Sequence, residues 1–153
     1  MTQGAQGETV NEERRLLLVP LLQPRPAADD TLSAGVAAWA LRVNEAQETA
    51  LLLNDRGRVI AISTGAALVL GLDPTGCLGR PLLELIVLVD FSASGLPVED
   101  PEVQLPPLKA LRSRSMARGL VRLRLGAGVL VTYDCVGVPL AGGDGALAFF
   151  AEV

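Results

Sequence analysis

The chain has 153 residues, half of them apolar, and a formal net charge of −4. This length suits one compact domain with an extension, and the acidic balance gives no electrostatic reason for direct nucleic-acid binding. Apolar runs such as residues 16–22 and 85–89 are far shorter than the about 20 residues that a membrane-spanning helix needs. The polar, acidic start of the chain is unlike a secretory leader. We therefore expect no membrane association and a cytoplasmic location.

Residues 1–30 predict a flexible, extended N-terminal segment. The first ten residues are small and polar, a composition that cannot bury a core. Pro20, Pro24 and Pro26 exclude a continuous helix in the more apolar part that follows, because proline lacks the backbone N–H and clashes with the preceding turn. The folded part of the chain is therefore expected to begin after this segment.

The clearest helix of the sequence covers residues 31–49. Asp30 or Thr31 can cap its N-terminus by accepting a hydrogen bond from a free backbone N–H group. Apolar residues recur on one face at helical spacing. This face consists of Leu32, Val36, Trp39 and Val43. The helix therefore has one face to bury.

A β-hairpin and a short helix are predicted next. Two short apolar runs flank the sequence NDRGR, in which Asp55 and Gly57 supply turn chemistry. Ser63 or Thr64 can cap the helix that follows, and Gly71 can end it. The pattern of apolar residues in this part of the chain thus changes from that of strands to that of a helix.

Two further short helical pieces and a longer helix are expected in the middle of the chain. Residues 73–74 can start the first piece, and residues 79–81 open the second. The composition of residues 90–104 is that of a loop. The longer helix is predicted over residues 106–118, with proline at its start and Gly119 just beyond its end.

The last part of the chain has the pattern of antiparallel strands. LVRLRL alternates strictly, VLVTYDCVGVPL follows the turn GAG, and ALAFFAEV follows the turn AGGDG. Arg122 and Arg124 share one face of the first of these strands, so the other face is the apolar one. The predicted order is two strands, short helices and three strands, an α+β arrangement.

Several short motifs in this order resemble those of PAS (Per-Arnt-Sim) sensory domains. They are DRGR at residues 55–58, VLG at 69–71, GRPLLEL at 79–85, and PL at 139–140 before a glycine-containing turn. Ser63 stands where the family usually has asparagine. The resemblance covers residues 50–153 and implies a five-stranded antiparallel sheet with short flanking helices, preceded by the amphipathic helix of residues 31–49.

The resemblance implies a sensory and regulatory module in signal transduction, not an enzyme. Such a module senses a small apolar ligand or a partner and relays it through dimer packing to an output domain or a partner signalling protein. The helix face of Leu32, Val36, Trp39 and Val43 is then the candidate homodimer interface. A ligand-free scaffold for protein–protein interaction or dimerisation is the alternative. The arginine- and alanine-rich composition is typical of a high-GC, for example actinobacterial, genome, and we expect the chain to be the N-terminal piece of a longer regulator.

The residues argue against catalysis and against the cofactors that PAS domains often hold. The chain has no histidine, which excludes histidine-ligated haem and histidine-dependent catalysis. Pro81 follows the Gly-Arg pair where light-sensing members have the cysteine of the flavin adduct, and residues 83–119 lack the cysteine of a thioester chromophore. Cys77 and Cys135 are too few for a disulfide framework or a zinc site, so we expect buried free thiols. No metal or cofactor is expected.

A cavity without such cofactors would be lined by aliphatic and a few aromatic side chains. The candidates are Ile60, Ile62, Leu70, Leu82, Leu85, Leu111, Val131, Tyr133 and Phe149. The same space could equally be filled by leucine side chains and hold no ligand. Arg122 and Arg124 form a candidate anion patch, and the alternative for them is a solvent-facing surface paired with nearby glutamates.

Overall fold

The computed structural model describes residues 33–153. The predictions for residues 1–30 and for Leu32 lie outside the described residues. Within residues 33–153, none of the helices combines the length and apolar character needed to cross a bilayer.

The amphipathic helix is shorter than predicted. Helix α1 spans Ala34–Glu45, and its cap is Ser33, whose hydroxyl accepts a hydrogen bond of 3.2 Å from the backbone N–H of Val36. The predicted caps, Asp30 and Thr31, were therefore wrong. The helix ends before residue 49 because Ala46 takes an extended conformation that leads the chain into the sheet.

One antiparallel sheet organises the described chain. Its strands are β1 (Ala50–Asn54), β2 (Val59–Ile62), β3 (Val87–Val89), β4 (Ala117–Arg124), β5 (Leu130–Pro139) and β6 (Gly145–Glu152). The remaining helices are α2 (Thr64–Leu70), α3 (Leu82–Leu85), α4 (Pro101–Gln104) and α5 (Pro106–Ser113). The strand order is β2-β1-β6-β5-β4-β3.

The sheet has six strands, whereas the sequence predicted five. The additional strand is β3, which pairs with the end of β4 through Leu88 and Leu123. Three residues are too few for the alternation of a strand to be recognised in sequence. Strand β3 is stabilised by its pairing with β4, a contact that the local sequence does not reveal.

The β1–β2 turn depends on a residue that the sequence analysis did not identify. The side-chain oxygen of Asn54 accepts hydrogen bonds from the backbone N–H groups of Arg56 (2.9 Å) and Arg58 (3.0 Å). Gly57 has a φ of 74°, which confirms the turn role predicted for this glycine. Asn54, next to the predicted Asp55, is the side chain that closes the turn.

Ser63 joins three parts of the chain through one buried hydroxyl. The oxygen accepts hydrogen bonds from the backbone N–H groups of Ala50 (3.0 Å) and Ala66 (3.1 Å) and donates one to the carbonyl of Glu48 (2.7 Å). It therefore caps α2 and fixes the start of β1. Gly71, with a φ of 66°, ends α2 as predicted.

Two boundaries in the middle of the chain differ from the predictions. Residues 74–79 form turns and not a helix, since they contain two glycines and one of these, Gly79, has a φ of 78°. Helix α5 ends at Ser113 because Arg114 takes the left-handed conformation, with a φ of 56°. Strand β4 consequently begins at Ala117, and the predicted helix stop, Gly119, lies within it.

The sheet has an apolar cluster on each face. The inner cluster lies between the sheet and helices α2, α3 and α5, and the outer cluster lies under α1. From α1, the outer cluster takes Val36, Ala40 and Val43. Helix α5 sits directly on the inner face: a Cβ atom added at Gly137 would lie 2.5 Å from the carbonyl oxygen of Pro106. Strand and helix backbones are thus in close contact there.

We expect Ser63→Ala to lower the free energy of unfolding by about 2–4 kcal/mol. Loss of a cap costs about 1 kcal/mol, the buried Ala50 N–H loses its partner, and the bond to the Glu48 carbonyl is lost as well. Urea unfolding measures the change. Ser33→Ala is the matched control, since Ser33 makes one capping bond and its loss should cost only about 1 kcal/mol. Equal losses in the two variants would contradict the role of Ser63.

Candidate functional site

The structure separates the nine candidate cavity residues. Ile62, Leu70, Leu82 and Tyr133 belong to the buried inner cluster. Leu85, Leu111 and Val131 pack against that cluster and are partly buried. These seven residues therefore lie between the sheet and the short helices, within or against the packed inner cluster.

Ile60 and Phe149 lie on the outer face of the sheet, so their assignment to the inner cavity was wrong. Ile60 and Ile62 are two residues apart, which ordinarily places both side chains on one face. The β1–β2 register shifts here, since Leu52 pairs with Ala61 while Leu53 pairs with Val59. The extra residue, Ile60, is turned outward by this bulge.

Tyr133 is the main polar group of the inner cluster, and its hydroxyl already has a partner. The hydroxyl donates a hydrogen bond of 3.0 Å to the carbonyl of Val69 in α2. The ring meets Phe150 edge to face, with centroids 5.9 Å apart. Phe150, not Phe149, is thus the aromatic residue of the inner face. Burial, assisted by the charge of Glu152, raises the pKa of Tyr133.

Both cysteines are buried free thiols, as predicted. Burial raises the pKa of Cys135 from its ordinary value of 9.0 to about 12, and the neighbouring charge of Asp134 adds to the shift. Burial likewise raises the pKa of Cys77. Because the thiolate is the reactive form, these environments do not activate either sulfur as a nucleophile.

An open groove of about 270 Å³ lies on the helical side of the domain. It runs between the β1–β2 turn and helices α3, α4 and α5. Its apolar surface includes Leu82 and Leu111 from the candidate set, together with Leu83 and Leu108. The charged residues at the groove are Asp55, Arg56, Glu102 and Arg112. The volume is just below the about 300 Å³ at which small-molecule pockets usually begin.

Arg122 and Arg124 of β4 donate hydrogen bonds to the loop that follows β3. Arg122 donates hydrogen bonds to the carbonyls of Ser92 (2.6 Å) and Asp90 (3.4 Å). Arg124 donates to the carbonyls of Ser94 (3.2 Å) and Gly95. The expected pairing with glutamates was wrong, because neutral carbonyl groups are the partners. The candidate anion patch is thus part of an internal contact between β4 and the loop.

Trp39 does not lie on the buried face of α1. Val36 and Val43 face the sheet together with Ala40, whereas Trp39 remains 38% exposed. Arg42 lies over its ring, 5.3 Å from the centroid. A helix turns about 100° per residue, which places residue 39 at the margin of the stripe formed by residues 36, 40 and 43. The predicted face therefore divides into a buried part and an exposed tryptophan.

The outer face beyond α1 carries both charged and apolar side chains. Arg118 of β4 and Asp134 of β5 form an ion pair with a nitrogen–oxygen distance of 2.5 Å. Leu120 lies on the same face of β4 and is 58% exposed. No group of three histidine, cysteine or acidic side chains suited to a metal ion occurs among residues 33–153.

Comparisons with solved structures give clear matches at low sequence identity. A PAS domain from Colwellia psychrerythraea matches with a TM-score of 0.55 and 16% identity over 76% of this chain and 94% of that one. The PAS domain of an HTR-like protein from Haloarcula marismortui matches with a TM-score of 0.53 and 18% identity over 76% and 90%. A LOV protein from Rhodobacter sphaeroides gives a TM-score of 0.58 and 12% identity over 74% and 64%. No family model and no curated protein matches the sequence.

We expect the stability of the protein to fall as the pH rises from about 9 to about 12. The folded state holds the Cys135 proton more tightly than the unfolded state, so this contribution is complete below about pH 9 and is lost above it. Urea unfolding midpoints across this range measure the effect. Cys135→Ala should show a shallower decline, because it lacks the contribution of the Cys135 thiol. Some decline should remain, since burial also raises the pKa of Tyr133 and of Cys77. Identical declines would contradict this assignment.

Proposed function

Because the chain has a PAS fold, as its motifs predicted, we propose that it is a regulatory module of signal transduction that works through homodimer packing. The module passes a change in that packing to an output domain or a partner signalling protein. It acts in the cytoplasm and performs no catalysis.

The exposed part of the outer face is the observation that carries this proposal. Trp39 on α1 and Leu120 on β4 are large apolar side chains that remain 38% and 58% exposed. Tryptophan is enriched among the residues that contribute most to protein interfaces. A second copy that covers Trp39 and Leu120 would remove both from water.

The contacts of α1 provide a route for the relay. Val36 and Val43 of α1 pack in the outer cluster with Leu52 of β1. The neighbours of Leu52 in the same strand, Leu51 and Leu53, belong to the inner cluster. A displacement of α1 at the dimer interface therefore acts on a strand that also contacts the inner core. Discrete rearrangement of packed elements is a common form of such switching.

The module is proposed to work without haem, a covalent flavin adduct or a thioester chromophore. The chain lacks the histidine and the suitably placed cysteines that these groups require. The closely packed inner face supports this proposal, since α5 rests directly on β5 at Gly137.

We expect Trp39→Ala to weaken the homodimer at least tenfold in dissociation constant, a change of about 1.4 kcal/mol or more. Sedimentation velocity over a concentration series measures the equilibrium. Leu68→Ala is the matched control, because Leu68 is 77% exposed but lies on α2 and not on the outer face. A wild-type chain that stays monomeric throughout, or a dimer that Trp39→Ala leaves unchanged, would overturn the proposal.

The groove beside α5 favours a second candidate, in which a small apolar ligand provides the input. Leu82 contributes to both the groove and the buried inner cluster, so an occupant would contact a core residue directly. The leucine side chains of the groove match aliphatic or aromatic groups of such a ligand.

We expect native mass spectrometry of the purified protein to show a bound mass that Leu111→Trp removes. The larger side chain would fill the groove at the position of Leu111. Val103→Trp is the control, because Val103 is 43% exposed on α4 and does not line the groove. Absence of any adduct, or equal loss in both variants, would reject the ligand candidate while leaving the dimer proposal intact.

A further inference from the structure

A second open space lies at one corner of the sheet, and we call it the corner cleft. It has a volume of about 430 Å³. The pairing of β1 with β6 stops at Ala50 and Phe149, whereas β6 continues to Glu152. The cleft is lined by Glu48, Thr49, Val69, Asp134, Val136, Phe149, Phe150, Ala151 and Glu152. Its surface is thus mainly apolar with three carboxylates around it.

The carboxylates of the corner cleft differ in their partners. Asp134 is satisfied by its ion pair with Arg118. Glu48 and Glu152 have no ion-pair partner within the part of the chain that the structure describes. The cleft therefore suits an occupant that combines apolar side chains with positive charge.

The chain itself contains a segment with this composition. Arg14 and Arg15 stand immediately before Leu16–Leu22, whose sequence is LLLVPLL. Six of its seven residues are aliphatic, and the run lies outside the described residues. The composition of this segment, two cations beside aliphatic side chains, complements the carboxylates and the apolar surface of the cleft.

The segment is close enough along the chain to reach the corner cleft. Helix α1 has 12 residues, so its axis is about 18 Å long, and Glu48 and Thr49 lie just beyond its C-terminal end. From Ser33, the cleft is therefore about 30 Å away if residues 46–49 are fully extended. The stretch between Leu22 and Ser33 spans up to about 36 Å, which covers that distance.

We propose that residues 14–22 of the same chain occupy the corner cleft. The aliphatic side chains of Leu16–Leu22 lie on Val136, Phe149 and their apolar neighbours, and Arg14 and Arg15 pair with Glu48 and Glu152. The cleft is then an intramolecular docking site for the N-terminal segment. Trp39 and Leu120 do not line it, so the site is separate from the proposed dimer face.

Paramagnetic relaxation in the full chain tests this docking. Gln23→Cys places a nitroxide label directly after the segment, and the native thiols of Cys77 and Cys135 are buried and hence protected from the label under native conditions. The amide signals of Thr49 and Ala151 should lose at least about twofold in intensity relative to the reduced label. The signals of Lys109 and Arg112, on the helical side, should keep theirs.

A mixed sample separates the segment's own cleft from that of a second copy. Isotope-labelled chains without nitroxide are combined with nitroxide-labelled chains of natural isotope content. Intramolecular docking predicts no loss of the Thr49 and Ala151 signals in this sample. Loss of these signals in the mixed sample, or no loss in either sample, would overturn the proposal.

A charge exchange tests the pairing itself. Arg15→Glu should reduce the signal loss at Ala151, and the addition of Glu152→Arg should restore it. Arg25→Glu is the matched control, since Arg25 lies outside residues 14–22 and should leave the loss unchanged. Equal effects of Arg15→Glu and Arg25→Glu would show that the pairing is absent and would reject the proposed arrangement.

Discussion

The burial of β1 on both faces is the constraint on which the rest of the structure depends. Every residue of Ala50–Asn54 is buried, because Leu51 and Leu53 enter the inner cluster while Leu52 enters the outer one. A strand of this kind reads as a continuous apolar run and not as an alternating one. Two layers must therefore cover it, the short helices on one side and α1 on the other. Helix α1 is in this sense part of the domain's core.

Ser63 shows how the fold keeps this strand in place with an unusual residue. Asparagine is usual at this position in the family that the sequence resembles, yet the shorter serine hydroxyl serves three backbone groups at once. It binds Glu48 and Ala50 at the entrance to β1 as well as Ala66 in α2. The strand, the incoming chain and the first helix of the inner layer thus share one buried contact.

The sequence predicted the elements that local chemistry specifies and missed those that distant contacts decide. Glycine-containing turns, the Ser63 cap and the alternation of β4 are local signals, and each is confirmed. The bulge that turns Ile60 outward, in contrast, depends on how β2 pairs with β1. Likewise, Phe149 and Phe150 are adjacent, so only the register with β5 decides which ring faces Tyr133. Seven of the nine cavity candidates lie in or against the inner cluster because their strands and helices follow regular periods.

Arg122 and Arg124 bind the loop after β3 through hydrogen bonds, and this determines how the loop contact responds to ionic strength. The acceptors are backbone carbonyls, which carry no net charge and do not titrate. Dissolved salt weakens attraction between opposite full charges far more than it weakens short hydrogen bonds of this type. A salt concentration high enough to weaken the exposed Arg118–Asp134 ion pair should therefore leave the loop bound to β4. Arg118 thus depends on an attraction between two full charges, whereas Arg122 and Arg124 on the same strand face hold the loop through hydrogen bonds to neutral carbonyls.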